Sequence, residues 1–278
     1  MEMSTASVQG LDRDYALSQA QIDDYQTNGH ILLREVCPAE AVAEYAPLFR
    51  EAVAARSQDL KPMEERDEYG KAFVQIMNLW REDERYKRFV YSRRFAKIAA
   101  ELMGCSAVRL YHDQALYKEP GGAHTPWHQD QTYWPLDTDT TVTMWMPLVD
   151  ISESMGTMYF GSGSQKNGYL GESHIQDKAD DKWEALLAEK GCAIVNHGAM
   201  KAGDATFHAG LVLHGAPGNE SDRPREVMTV IYFPDGTRIM TPDNDYREDD
   251  LRTWIPGGVP GEPAASELNP VLYAAQGL

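Results

Sequence analysis

The chain has 278 residues, of which 42% are apolar and 25% charged; this is the balance of a globular protein that can bury a core, and it excludes disordered, collagen-like and coiled-coil readings. Its 26 basic and 43 acidic residues give a net charge of −17, a surface that repels nucleic-acid phosphates and anionic lipid headgroups. No apolar run approaches the roughly 18 residues of a bilayer span, the first ten residues lack the basic start and apolar segment of a leader, and Cys37, Cys105 and Cys192 are too scattered for a disulfide framework or a CxxC site. The expectation is a cytoplasmic protein with no nucleic-acid or membrane partner.

Residues 17 to 59 read as helical: Ser18 and Gln21 form a capping box, and PAEAVAEYAPLFREAVAARS repeats apolar residues at helical spacing after Pro38. HILLREV between them reads as a short strand. A second helix over about 82–104 sets Ile98, Leu102 and Met103 on one side and closes at Gly104. From Ala107 the runs AVRLYHDQALYK, TTVTMWMPLVD, GTMYF, GDATFHAGLVLH and REVMTVIYF are short, aromatic or β-branched, and separated by turn residues. Only about 178–190 reads as an inserted helix, which disfavours a parallel βαβ sheet and favours an antiparallel barrel or jelly roll. GSGSQKNG lacks the order of a phosphate-cradling loop and reads as a turn. The last forty residues, rich in Pro, Gly and Asp, read as a wrapping loop. We expect one domain: a helical buttress (about 15–105), a β core (about 107–235) and a C-terminal wrapping segment (236–278).

In WHQD, His128 and Asp130 lie two apart, so on an extended strand both side chains leave one face. That is half of a metal site, and a histidine from a distant strand would complete a two-histidine, one-carboxylate triad with open coordination positions. Two histidines of like parity compete for the role, His208 and His214. His214 is favoured because Arg225 follows eleven residues later, across what reads as a hairpin-like return. Arg225 shares parity with Val227, Thr229, Ile231 and Phe233 and so points inward, where a guanidinium requires an anion. His30, His112, His124, His174 and His197 read as ordinary polar or half-buried residues.

With these residues in view the sequence resembles the phytanoyl-CoA dioxygenase superfamily over about residues 15–235, through YKEPGG with Lys118, WHQDQTYWP, Trp145 in TMWMPL, GTMYFGSGSQKNG and GDATFHAGLVLHGAPGNESDRPR. The resemblance implies a mainly β protein with a helical buttress, a double-stranded β-helix (jelly roll, cupin-like), that uses Fe(II), 2-oxoglutarate as cosubstrate and O2. It implies that His128, Asp130 and His214 hold the iron, that Arg225 binds the distal carboxylate of 2-oxoglutarate, and that Trp145 and Gln114 line the cosubstrate pocket. Ala216 departs from the family, which often has Ser there; Thr143 or Thr229 would have to supply the missing hydroxyl. Because Asp130 fills the position that is a small residue in halogenating relatives, hydroxylation, desaturation or epoxidation is expected in place of halogenation, with hydroxylation the default and succinate and CO2 released. The rival readings are a non-oxidative cupin-like metalloenzyme and a non-catalytic jelly-roll binding module. The mouth is expected from Phe73, Gln75, Met77, Asn78, Trp80, Trp134, Tyr246 and Trp254, an aromatic rim suited to a small or medium-sized metabolite. The −17 charge disfavours a coenzyme A thioester unless Arg81, Arg85, Lys87 and Arg88 form a basic patch.

Overall fold

The computed structural model describes residues 10–171 and 180–275. Helix α1 (Gln19–Asn28) starts at the expected box, in which the Gln21 amide donates to Ser18 Oγ and the Ser18 amide donates to the Gln21 side chain; Gly29 ends it in the left-handed region at φ 76°. Strand β1 (His30–Leu33), helix α2 (Ala39–Arg56), the short helix α3 (Glu68–Ala72) and strand β2 (Val74–Met77) follow. The helix predicted over 82–104 is two, α4 (Glu84–Val90) and α5 (Arg93–Met103), because Ser92 leaves the helical region at ψ 116°. The break frees α5 to lay Phe95, Ile98, Ala99 and Leu102, all fully buried, on the β core.

The β-rich half supplies β3 (Ala107–Lys118), β4 (Thr125–His128), β5 (Leu136–Asp137), β6 (Val142–Pro147), β7 (Tyr159–Gly161), helix α6 (Asp180–Glu189), β8 (Ile194–Asn196), β9 (Ala205–Ala209), β10 (His214–Ala216) and β11 (Arg225–Pro234). The segment expected to be a wrapping loop is more regular: it holds β12 (Arg238–Ile239), helix α7 (Asp245–Trp254), whose cap is Asn244 accepting from the Arg247 amide, and β13 (Val271–Ala274) on the edge of β3. Composition hid the helix, since its ten residues are mostly charged and bury little of their surface.

Every strand pairing is antiparallel. The larger sheet runs β1-β9-β6-β11-β3-β13, with β2 also on β3; the smaller runs β4-β10-β7-β8; β12 and β5 form a separate pair. The return from β10 to β11 is therefore no hairpin but a crossing from the small sheet to the large one. Alternation divides β11 cleanly: Met228, Val230 and Tyr232 join the core beneath the buttress helices, while Arg225, Thr229 and Ile231 face a cavity between the two sheets. This is a double-stranded β-helix with a helical buttress. A bulge in β3, where Val230 pairs with Asp113 but Tyr232 with Leu110, turns two successive residues, Tyr111 and His112, off the outer face. Among the described residues no helix is long and apolar enough to cross a membrane.

Candidate active site

The cavity of about 320 Å³ is lined from both sheets, by His112, Gln114, Thr143, Trp145, His208, Arg225 and Thr229 on one side and Thr125, His128 and Ala216 on the other. His128 is the last residue of β4 and pairs directly with His214, the first of β10. The strand stops there: Gln129 stays extended, but Asp130 opens a 3-10 turn, so the carboxylate converges on the histidines from a turn and not along a straight strand. One ligand atom from each of His128, Asp130 and His214 lies within 4.8 Å of the others. His128 Nε2 and His214 Nε2 stand 3.6 and 3.7 Å from Asp130 Oδ1.

Both rings are oriented from behind. His128 Nδ1 donates to the Pro126 carbonyl at 2.8 Å and His214 Nδ1 to the Val212 carbonyl at 3.1 Å; a carbonyl only accepts, so Nδ1 carries the proton and Nε2 presents its lone pair. Burial first, and then its neighbour His128, hold His214 well below the usual histidine range and so keep it neutral. Burial acts to raise the Asp130 carboxyl, but the neighbouring His214, His128 and His208 outweigh it and hold the group well below the usual carboxylate range, so it stays ionised. Two neutral imidazoles and one carboxylate aimed at a common point are the donor set that suits a divalent transition metal such as iron.

Thr143 lines the cavity, and its hydroxyl donates to Asp130 Oδ2 at 3.0 Å, so it steadies a candidate ligand. Thr229 donates to the Gln114 carbonyl at 3.4 Å. Thr125 was not considered, yet its register partner is Ala216 and it lines the cavity; the signal was hidden because strand pairing of β4 with β10 is not visible in one sequence. His208 also lies at the site, with Nε2 3.4 Å from Asp130 Oδ2, the oxygen that Thr143 binds, while His128 and His214 share Oδ1.

Arg225 is buried at the opposite wall, its guanidinium 5.1 Å from the Trp145 ring and its Nη1 donating to the Gly156 carbonyl at 2.5 Å. Gly156 stands at φ +83°, and a Cβ there would meet the Pro217 carbonyl oxygen at 2.5 Å, so the arginine's anchor needs glycine. Among the described residues Arg225 Nε has no partner, and burial lowers the group to about 9 with no acid to offset it. An uncompensated buried guanidinium at a cavity wall is an anion site.

Phe73, Gln75, Met77, Gln114, Trp134 and Trp254 line the cavity as expected, with Gln75 Nε2 donating to Gln114 Oε1 at 2.8 Å. Asn78 does not. It is buried in the left-handed region at φ 51°, and its Oδ1 accepts from Trp80 Nε1 at 3.1 Å and from the Asp113 amide at 3.4 Å, a turn-holding role. Trp80 packs on Tyr91 and Tyr246 on Tyr133, and neither lines the cavity. The basic patch is partly neutralised, Arg85 by Asp83 and Lys87 by Glu84, and none of its members reaches the cavity. Sequence reasoning missed Tyr69, Tyr133, His112 and Asp250 as lining residues; Tyr133 lay within WHQDQTYWP, whereas Asp250 sat in a segment read as loop. His30 stacks on Phe160 and meets His197, and His124 meets Asp180, so these three fill structural places. His174 lies outside the described residues.

The phytanoyl-CoA dioxygenase (PhyH) family model matches residues 25–227. A probable alpha-ketoglutarate-dependent hypophosphite dioxygenase of Stutzerimonas stutzeri is 27% identical over 132 residues, 45% of this chain and 45% of that protein. A phytanoyl-CoA dioxygenase of Arabidopsis thaliana is 26% identical over 155 residues, 53% of this chain and 52% of that one. Each match spans about half the length of the curated relative. The crystal structure of the non-heme alpha ketoglutarate dependent epimerase SnoN from nogalamycin biosynthesis superposes with a TM-score of 0.74 at 23% identity, covering 91% of this chain and 97% of that one, a likeness of fold.

Proposed function

The chain belongs to the phytanoyl-CoA dioxygenase family, and on that premise we propose that it is an Fe(II)- and 2-oxoglutarate-dependent oxygenase that hydroxylates a small or medium-sized metabolite. The observation that carries this reading is the pairing, in one cavity, of the His128, Asp130 and His214 donor set with the buried guanidinium of Arg225, whose Nε has no partner among the described residues. A zinc hydrolase or a simple binding module has no need of the second element. Iron(II) held by the three residues would supply the activation of O2 that couples decarboxylation of 2-oxoglutarate, with release of succinate and CO2, to oxidation of a substrate C–H bond.

The chain's own residues do the placing. Arg225 grips the far carboxylate of 2-oxoglutarate in two-pronged fashion, with Trp145 against the guanidinium face. Thr125, opposite Ala216, supplies the hydroxyl that Ala216 lacks, and Gln114 borders the same pocket. Thr143 leaves one oxygen of Asp130 for the metal by occupying the other. The aromatic wall of Phe73 and Trp134 excludes water and holds the target carbon near the histidines.

Mixing the protein with iron(II) and 2-oxoglutarate without oxygen should produce the weak visible charge-transfer band of a chelated keto acid. His128→Ala, Asp130→Ala and His214→Ala should each lose it while circular dichroism shows a folded chain. Absence of the band in the wild type, or its survival in His214→Ala together with loss in His208→Ala, would overturn the assignment.

A further inference from the structure

The end of the cavity away from Arg225 carries a charge that the oxygenase reading leaves unused. Helix α7 brings Asp250 and Trp254 to it, with the Trp254 and His112 rings 5.2 Å apart. Asp250 is the one carboxylate besides Asp130 among the described lining residues. The Tyr111 hydroxyl donates to its Oδ2 at 2.8 Å and the Trp254 side chain also donates to it, but neither cancels its charge. Among the described residues no cation acts on it, and burial pushes its carboxyl up to about 7, the mark of an acid that lacks a counter-ion. His112 provides none, since burial lowers it to about 3 and keeps it neutral.

Given the function proposed above, on which this step rests, iron(II), Asp130, doubly charged 2-oxoglutarate and Arg225 balance one another, so Asp250 is the net charge left for the substrate. Its surroundings are aromatic: Tyr69, whose hydroxyl feels the charge of Asp250, Phe73, Trp134 and Trp254 share the cavity. Aromatic faces beside one carboxylate are the chemistry that recognises an organic ammonium, through ring quadrupole and ion pair together. We infer that Asp250 is a specificity-determining residue and that the substrate carries a protonated or quaternary amine, held at the α7 end while the carbon to be oxidised lies toward His128 and His214. Anionic substrates would meet Asp250 with like charge and be rejected.

The test uses the full chain with iron(II) and 2-oxoglutarate, without oxygen, at pH 8, and three probes of one frame: phenethylamine, 2-phenylethanol and phenylacetate. Binding is followed by tryptophan fluorescence and the iron site independently by the visible band. Phenethylamine should bind saturably and at least about tenfold more tightly than the alcohol, with phenylacetate weaker still. Asp250→Asn retains an acceptor for Tyr111, so the fold and the band should persist while the amine preference falls at least about tenfold. No saturable amine binding, equal affinity for the three probes, or an unchanged preference in Asp250→Asn would overturn the inference. A wild type without the band would instead sink the oxygenase reading, and the same titration of the metal-free protein would still report on Asp250.

Discussion

Lys118 sits fully buried beside Arg225, its partner across the β3–β11 ladder, with no carboxylate in reach among the described residues. Its Nζ donates to the carbonyls of Ala123 and Pro217 and lies 3.3 Å from Thr125 Oγ1, so it ties the turn that precedes β4 to the loop that follows β10. Burial, and then the charge of Arg225, lowers it to about 6 from an ordinary 10.5. Between those values the unfolded chain binds the proton and the folded chain does not, so this group makes stability rise with pH. Denaturant unfolding at pH 6.5 and 8.5 should show the wild type gaining on Lys118→Met, by at most about 1.4 kcal/mol per pH unit; a difference independent of pH would contradict the buried, proton-poor lysine. For Arg225, alanine should raise the 2-oxoglutarate requirement sharply and lysine should restore it only in part, because a point charge cannot reproduce a two-pronged contact. Thr125→Val should raise the same requirement by roughly tenfold, the worth of one hydrogen bond to a charged group. Both are read from succinate formation against cosubstrate concentration, and an unmoved requirement in either would relocate the anion site. At this scale His128, Asp130, His214 and Arg225 were legible because they lie in short motifs. Thr125 and the true work of Thr143 were not, because they follow from which strand lies opposite which.

Helix α5 shows what an element contributes. Phe95 is fully buried, its ring 5.3 Å from Phe89, in the cluster that also holds Met228, Val230 and Tyr232 of β11. Those residues occupy the face of β11 opposite Arg225, so the helix holds the strand that presents the arginine. Phe95→Ala should cost about 3–5 kcal/mol of stability, measured by denaturant unfolding, and leave the visible band intact in the folded protein; a cost under about 1 kcal/mol would mean that the buttress does not hold the sheet. The periodicity of Ile98 and Leu102 marked this helix, and alternation marked β11. What periodicity could not show is the bulge in β3 that sends Tyr111 to Asp250, beside the inward-facing His112, or helix α7, whose charged sequence has no apolar stripe to announce it.

Taken whole, the molecule sets two antiparallel sheets around a cavity and insulates the larger one with helices, so that the candidate site residues of β4, β10 and β11 meet though they are up to about a hundred residues apart. Strand number and turn chemistry pointed to an antiparallel barrel or jelly roll; sheet membership was misjudged at the β10–β11 connection, because a crossing between sheets and a hairpin both need only a polar loop. The most direct measurement is diffraction at the iron absorption edge from crystals grown without oxygen in iron(II) and 2-oxoglutarate. The account predicts one anomalous peak bonded to His128 Nε2, Asp130 Oδ1 and His214 Nε2, with the far carboxylate of the cosubstrate on Arg225. A peak bonded to His208 in place of His214, or a cosubstrate carboxylate placed away from Arg225, would contradict it.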